Sequence, residues 1–466
     1  MPDYSRLVLY FLCTHPLVKP ATPLRDAFKN GQLTVLTQLS QYRKNAHYNA
    51  THRRRQNLYA LPTAQWQMLA AAPIFLLDTL SAVDDAIDLN ADLADEILRI
   101  GLASLGLAES PPKQSALNWR GTAQPNDMSK AHSTLRQFYR DWSHEGYSVE
   151  VKPLLDVILS DLRSFLPDST DPASLLLPGA GLGRLLFELC LAGFDVQGNE
   201  ISYHQLLASN FILNTTQHAN QYPLYPFATT FTNVVSRSNQ LRRVTIPDTH
   251  PATAIAHRLE SGGRVGEMNM TAGDFVLSYA GPSHEGLFDA VVTVYFIDTA
   301  PNLLRYISTV RNTLKKDGLW INIGPLLWHF DDRVHGQGRN EDSNGDTSEH
   351  GHRHDGGDDD DTESPLSHSH SHSHSQPPSE TQLHAHPHPH GHLQETTAKD
   401  EDKGIAEPGS FELTDDEVLS LLQQTGFVVE SHEILDSSLG GYIRDPTSML
   451  QSRYRCSHWV ARKSEG

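Results

Sequence analysis

The chain has 466 residues, a formal charge of −19 and an apolar fraction of 38%, enough length for two or three domains but too little apolar character for a chain that is globular throughout. Cys13, Cys190 and Cys456 are too few and too scattered for a disulfide framework or a zinc cluster, which suits a reducing compartment. Between Gly336 and Pro408, 16 acidic residues stand against 4 basic ones, a net −12, so the remainder carries −7 and neither part offers a basic surface for nucleic acid.

In chain order, the apolar start Leu7–Cys13 has only Arg6 before it and no small-residue cleavage site, and it reads as ordinary structure rather than an export signal. Residues 1–150 read as a mainly helical region. Helix-forming residues run from Leu24 to Leu69, apolar residues recur at helical spacing from Ile74 to Leu107, and a further helix is expected over Ser129–Trp142. The basic run His52-Arg53-Arg54-Arg55 reads as a solvated helix face. No apolar run reaches the ~18–20 residues of a membrane helix, so no membrane partner is expected.

Residues 151–335 alternate strands and helices. Strands are expected at Ser174–Leu177, Phe194–Gly198, Phe288–Val294 and Leu319–Ile323, with helices at Leu185–Leu191, Leu206–Leu213 and Ala300–Leu314. Strands separated by single helices imply a parallel sheet with right-handed crossovers. Residues 336–408 break this pattern: they hold 12 of the 26 histidines, a Ser-His alternation and almost no apolar residue. Such a composition cannot offset the entropy of ordering, so a disordered insertion is expected there. Residues 409–466 resume the pattern with a helix begun by a capping box, Thr414 with Glu417, and then strands at Phe427–Ile434 and Tyr454–Ala461.

Five segments carry chemistry. Leu177-Pro178-Gly179-Ala180-Gly181-Leu182-Gly183-Arg184 lies between a strand and a helix, where glycines let the backbone approach a ligand. A dinucleotide fingerprint needs Gly at the sixth position of Gly-x-Gly-x-x-Gly, where Arg184 stands. The Gly-x-Gly-x-Gly form suits S-adenosylmethionine better, since no pyrophosphate has to be cradled. Glu200 ends the next strand, 17 residues after Gly183, at the sheet edge beside the glycine loop, where its two oxygens can accept ribose hydroxyl protons. Asp274 in Ala272-Gly273-Asp274-Phe275 can accept an adenine amino group while the neighbouring aromatic covers the ring. Asp298, in Tyr295–Ala300, is either a polar group of the cleft or the cap of the following helix. His329 follows the Leu319–Ile323 strand and should face the same cleft or pack among its aromatic neighbours.

These segments together resemble the carnosine N-methyltransferase family. The resemblance covers Leu177–Arg184, Gln197–Glu200, Ser209–Asn214, Ile246–Asp248, Ala272–Phe275, Phe296–Ala300 and Trp320–Phe330. It also takes in Ser133–Ser143 upstream, and Tyr442, Ser448–Leu450 and Tyr454 near the end. It implies an α/β class I methyltransferase fold, a Rossmann-like seven-stranded sheet with an N-terminal helical domain, and S-adenosylmethionine as cofactor. It implies methylation of the imidazole of carnosine, β-alanyl-histidine, at the ring nitrogen nearer the backbone, giving anserine. On this resemblance Gln137 and Arg140 would reach the cofactor's methionine end, Gly179 and Gly181 would line its path, Glu200 would hold the ribose, and Asp274 with Phe275 the adenine. Val294 would border the cofactor through an apolar or backbone contact, the family carrying cysteine there. Asp298, His329 and Tyr442 would bind the dipeptide, and Asp298 would orient the imidazole for attack.

A small-molecule dipeptide is thus the expected partner, in a cytoplasmic protein, with a nuclear location and a homodimer left open. The alternatives are a methyltransferase acting on protein or peptide histidine, a nicotinamide enzyme (disfavoured by Arg184), and a metal buffer built on the histidine-rich insertion. No metal site is expected in the catalytic part.

Overall fold

The computed structural model describes residues 11–12, 22–115, 117–122, 128–166, 169–328 and 411–464. The expected insertion at 336–408 and the candidate residue His329 lie outside the described residues. The described strands form one main sheet: β1 (Phe11–Leu12), β2 (Ser174–Pro178), β3 (Asp195–Glu200), β4 (Met268–Ala272), β5 (Phe288–Val294), β6 (Leu314–Gly324), β7 (Phe427–Ile434) and β8 (Ser457–Lys463). Their order is β1-β4-β3-β2-β5-β6-β8-β7. β1 to β6 are paired parallel, whereas β8 runs antiparallel to both β6 and β7. The seven longer strands make the class I methyltransferase sheet, and the two-residue β1 extends its edge.

The sheet is buried on both sides, so its central strands read as unbroken apolar runs. Successive side chains point to opposite faces. Leu175 and Leu177 of β2 and Ala290 and Val292 of β5 belong to one core, with Phe187, Phe211 and the N-terminal helices. Leu176 and Val291 belong to the other, with Trp320, Trp459, Tyr306 and Leu422. Burying side chains of this size contributes ~1.5–3 kcal/mol each.

Four features of the elements refine or correct the sequence reading. The run of helix-forming residues from Leu24 to Leu69 is helical, in pieces: α1 (Thr22–His47) passes through a π-helical turn, Tyr48–His52, into Arg53–Tyr59, and a separate helix spans Thr63–Ala70. Pro62 stands at the break as the N-cap of that last helix. The basic run is solvated only in its first half: His52 and Arg53 are exposed, whereas Arg54 donates to the carbonyls of Asn49 and Ala50 and lies 3.7 Å from the Phe231 ring centre, and Arg55 pairs with Asp84 at 2.6 Å. The expected Tyr454–Ala461 strand is two strands, because Arg453–Tyr454 pairs with Gly440–Gly441 and only Ser457 onward joins the main sheet. A further two-stranded pairing, Tyr222–Leu224 with Val244–Ile246, had no signal in the alternation of residues.

Other expectations hold closely. Helices α2 (Leu76–Leu105) and α3 (Met128–Trp142) are as read, and α4 (Lys152–Phe165) leads into β2. α5 (Arg184–Leu191), α6 (Tyr203–Asn214), α7 (Phe275–Tyr279) and α8 (Leu303–Thr313) follow. α9 (Asp415–Gln424) starts with its capping box, the Glu417 carboxylate accepting from the Thr414 N–H at 2.8 Å. Among the described residues, no helix is long and apolar enough to cross a membrane.

Candidate active site

The carboxyl ends of β2 to β6 converge on one cleft, the usual ligand position in sheets of this kind. The glycine loop follows β2. Gly179 has φ +69°, and a Cβ there would sit 2.8 Å from the Phe296 ring. The residue is therefore fixed by both backbone angle and close packing. Gly181 has φ +57°, and a Cβ there would meet nothing nearer than Arg140 Nη2 at 3.8 Å, so open space lies in front of it. Arg184, which breaks the dinucleotide pattern, turns away from this space. It is buried against the rings of Trp142 and Tyr147 and is bonded to Asp248 at 2.5 and 3.2 Å and to Glu188 at 2.8 Å.

Glu200 ends β3 directly beside the loop. Its Oε2 accepts from the Gly181 N–H at 2.9 Å and its Oε1 from the Ser202 N–H at 2.7 Å. Burial pushes its carboxyl above the usual range, and the backbone donors pull the other way. Gln205 of α6 joins it to α3: with its amide nitrogen turned to Glu200, it donates to Oε2 at 2.8 Å and its oxygen faces Gln137. Gln137 Nε2 in turn donates to the Tyr442 hydroxyl at 2.7 Å. Arg140, one turn further along α3, stands 5.1 Å from the Tyr442 ring centre. Burial opposes the charge of Arg140, but Asp141, accepting from Nε and Nη2 at 2.6 and 2.9 Å, holds it firmly protonated. Gln137, Arg140, Glu200, the two glycines and Tyr442 are thus brought together.

The next two strand ends complete the wall. Asp274 follows β4, is half-buried, and accepts from the Leu277 N–H at 2.9 Å as the N-cap of α7. Phe275 does not offer its ring: the side chain is 3% exposed and packed edge-on against Phe296 and Tyr306. A ring so enclosed has no face for a base, and the contact left at this position is through the backbone. Val294 ends β5, half-buried. Asp298 lies four residues on, in the short turn Ile297–Thr299. It is not the helix cap. That position belongs to Asn302, whose side chain accepts from the Arg305 N–H at 3.3 Å. Asp298 is 3% exposed, and its Oδ2 accepts from the Leu327 N–H at 3.1 Å. This ties β5 to the segment after β6 that leads to position 329.

Residues 117–465 match the model of one protein family, described as carnosine N-methyltransferase. The chain belongs to the carnosine N-methyltransferase family. The carnosine N-methyltransferase of Schizosaccharomyces pombe is 36% identical over 301 residues, covering 64% of this chain and 77% of that protein. The carnosine N-methyltransferase of Mus musculus is 35% identical over 302 residues, covering 64% of this chain and 70% of that protein.

Several residues of the cleft carry no assigned role in the sequence reading. Gln205 lies in the first turn of α6, three residues after the N-cap Ser202. Phe296 closes over Gly179 and stacks on Tyr306, ring centres 5.1 Å apart. Tyr295 has φ +53°, and its hydroxyl accepts from the Gly441 N–H at 2.9 Å with Cys456 Sγ at 3.4 Å. Burial pushes the Tyr295 phenol far above its ordinary value. Among the described residues, no group of three or more His, Cys, Asp or Glu side chains is arranged to hold a metal ion.

Proposed function

We propose that this chain transfers a methyl group from S-adenosylmethionine to the imidazole of carnosine, at the ring nitrogen nearer the backbone, giving anserine. The single observation that carries the acceptor side is Asp298: a buried carboxylate two residues after Phe296, which itself closes over the glycine loop.

The residues present fit the cofactor. A buried carboxylate at the end of β3 suits a ribose diol, and the open space at Gly181 lies between it and a half-buried guanidinium that suits a carboxylate. S-adenosylmethionine, when bound, supplies an electrophilic methyl group on a sulfonium. Glu200 would accept from the ribose hydroxyls, Asp274 would take the adenine amino group, Val294 would make an apolar contact, and Gln137 and Arg140 would hold the methionine end. The chain's work is alignment, because an in-line displacement needs geometry more than acid catalysis.

The acceptor nitrogen must present a lone pair, so the substrate ring must be neutral, with one donor and one acceptor nitrogen. Asp298 accepts the N–H of the far nitrogen, which fixes the tautomer and leaves the near nitrogen free to attack. Its hydrogen bond from Leu327 holds the carboxylate in place for this task. Tyr442 and His329 would contact the dipeptide.

The test is mass spectrometry of carnosine incubated with the protein and isotope-labelled cofactor. The expected product carries one label on the ring nitrogen nearer the backbone. Label on the other nitrogen would overturn the role of Asp298, and label confined to protein histidine would overturn the acceptor.

A further inference from the structure

We infer that Glu150 is a positioning residue for the acceptor half of the site, holding Tyr442 through the backbone of the two residues that follow it. The inference rests on the reading that Tyr442 faces the dipeptide.

Glu150 lies in the π-helical turn Tyr147–Val151 and is 4% exposed. Its Oε2 accepts from the Ile443 N–H at 2.7 Å and its Oε1 from the Arg444 N–H. Ile443 has φ +51°, a conformation β-branched residues rarely adopt. A strained turn of this kind persists only where its surroundings over-determine it. Here the determinant is a buried anion that collects two successive N–H donors. The Arg444 guanidinium closes the same turn by donating to the carbonyls of Ser438, at 2.8 Å, and Val149. The regular structure of this stretch is slight: Gly440–Gly441 paired with Arg453–Tyr454.

Tyr442 is therefore held from three sides. Gln137 bonds its hydroxyl, Arg140 stands beside its ring, and Glu150 fixes the main chain behind it. Gln137 and Arg140 also face the cofactor's side of the cleft, so Glu150 sets the distance between the two halves. A buried carboxylate is costly unless fully bonded, and neither methyl transfer nor cofactor binding uses this one directly.

The test is Glu150→Gln, which keeps the size but can accept only one of the two N–H groups, its amide NH2 facing the other. Kinetics with carnosine varied should show KM raised about tenfold, as expected for one lost charge-assisted bond. The Kd of S-adenosylhomocysteine by calorimetry should stay within about twofold, while amide exchange at Ile443 and Arg444 accelerates. Tyr442→Phe should raise the same KM, and the double variant should be no worse than the poorer single one, the mark of residues acting through each other. An unchanged KM in Glu150→Gln beside a raised KM in Tyr442→Phe, or effects that multiply, overturns the inference alone. An unchanged KM in Tyr442→Phe overturns the reading of Tyr442 and the inference with it. If Glu150→Gln does not fold, Glu150→Asp keeps the charge but shortens the reach; the same split between KM and Kd supports the inference, and an unchanged KM overturns it.

Discussion

Asparagine at position 298 is the sharpest probe of the proposed chemistry. It matches aspartate in shape, and its carbonyl oxygen can still accept the Leu327 N–H that Asp298 accepts at 3.1 Å. Its other group becomes a donor. A carnosine imidazole in the productive tautomer would then meet donor with donor. Loss of one charge-assisted hydrogen bond costs about 1.5–3 kcal/mol, roughly 10–150-fold in rate. The amide also favours the opposite tautomer, with the proton on the nitrogen that must attack, and this adds about another tenfold or more. Turnover of Asp298→Asn should therefore fall by roughly two to four orders of magnitude, with thermal stability little changed. Asp298→Ala should lose at least as much turnover, and about 1 kcal/mol of stability as the hydrogen bond from the Leu327 N–H is lost. The assay is initial-rate product formation at saturating cofactor, beside calorimetry with S-adenosylhomocysteine. Turnover within about twofold of the parent, or cofactor affinity lost in step with turnover, would refute the reasoning.

Three further outcomes follow from the geometry. Gly179→Ala should weaken S-adenosylhomocysteine binding while the fold survives; a left-handed non-glycine costs about 1–2 kcal/mol, and the Phe296 ring 2.8 Å away must also move. Calorimetry showing parental affinity would contradict this. Arg184→Lys should lower the denaturation midpoint by the equivalent of about 3 kcal/mol, because an ammonium cannot reproduce the paired bonds to Asp248 under two aromatic rings; a midpoint equal to the parent's would show the clasp to be dispensable. His458 is a pH probe of stability: burial opposes its charge, but Asp161 at 2.8 Å and Glu433 at 3.1 Å hold its proton above the usual imidazole value. That stabilisation is complete below the unfolded value of about 6.5 and is lost as pH rises through the raised folded value. From pH 6 to pH 9 the melting temperature should thus fall less in His458→Gln than in the parent, with His47, set between Asp84 and Asp88, supplying a residual slope of the same sign. Equal slopes in parent and variant would remove the triad from the account.

What could be read in the sequence was what local rules govern. The glycine loop, Glu200 at the end of a strand and the Thr414–Glu417 capping box each depend on neighbours within a few residues, and each is where it was expected. Helix–strand alternation also gave the parallel sheet. Contacts across long sequence distances were not legible. Asp298 and Asn302 are both plausible caps by type; only the fold shows that Asn302 takes the role and that Asp298 is drawn inward by Leu327. The Phe275 ring looked available to a ligand because nothing local shows that Phe296 and Tyr306 enclose it. The pairing of Tyr222–Leu224 with Val244–Ile246 escaped notice because two three-residue strands containing Pro223 carry too little alternation to register. By local rules Arg184 only excludes a dinucleotide fingerprint; the clasp its side chain makes on the segments around Asp141 and Asp248 depends on residues distant in sequence.

The strand order has a consequence for how this protein is made. β8 follows β7 in the chain yet lies between β6 and β7 in the sheet. During synthesis, β6 and β7 therefore leave the ribosome with the position between them still vacant, each showing a row of unpaired backbone groups. Open edges of this kind invite pairing with other chains. The nascent protein is most in need of protection in the interval just before Ser457–Lys463 arrives, and the cleft wall at Cys456 and Tyr454 is finished in the same moment.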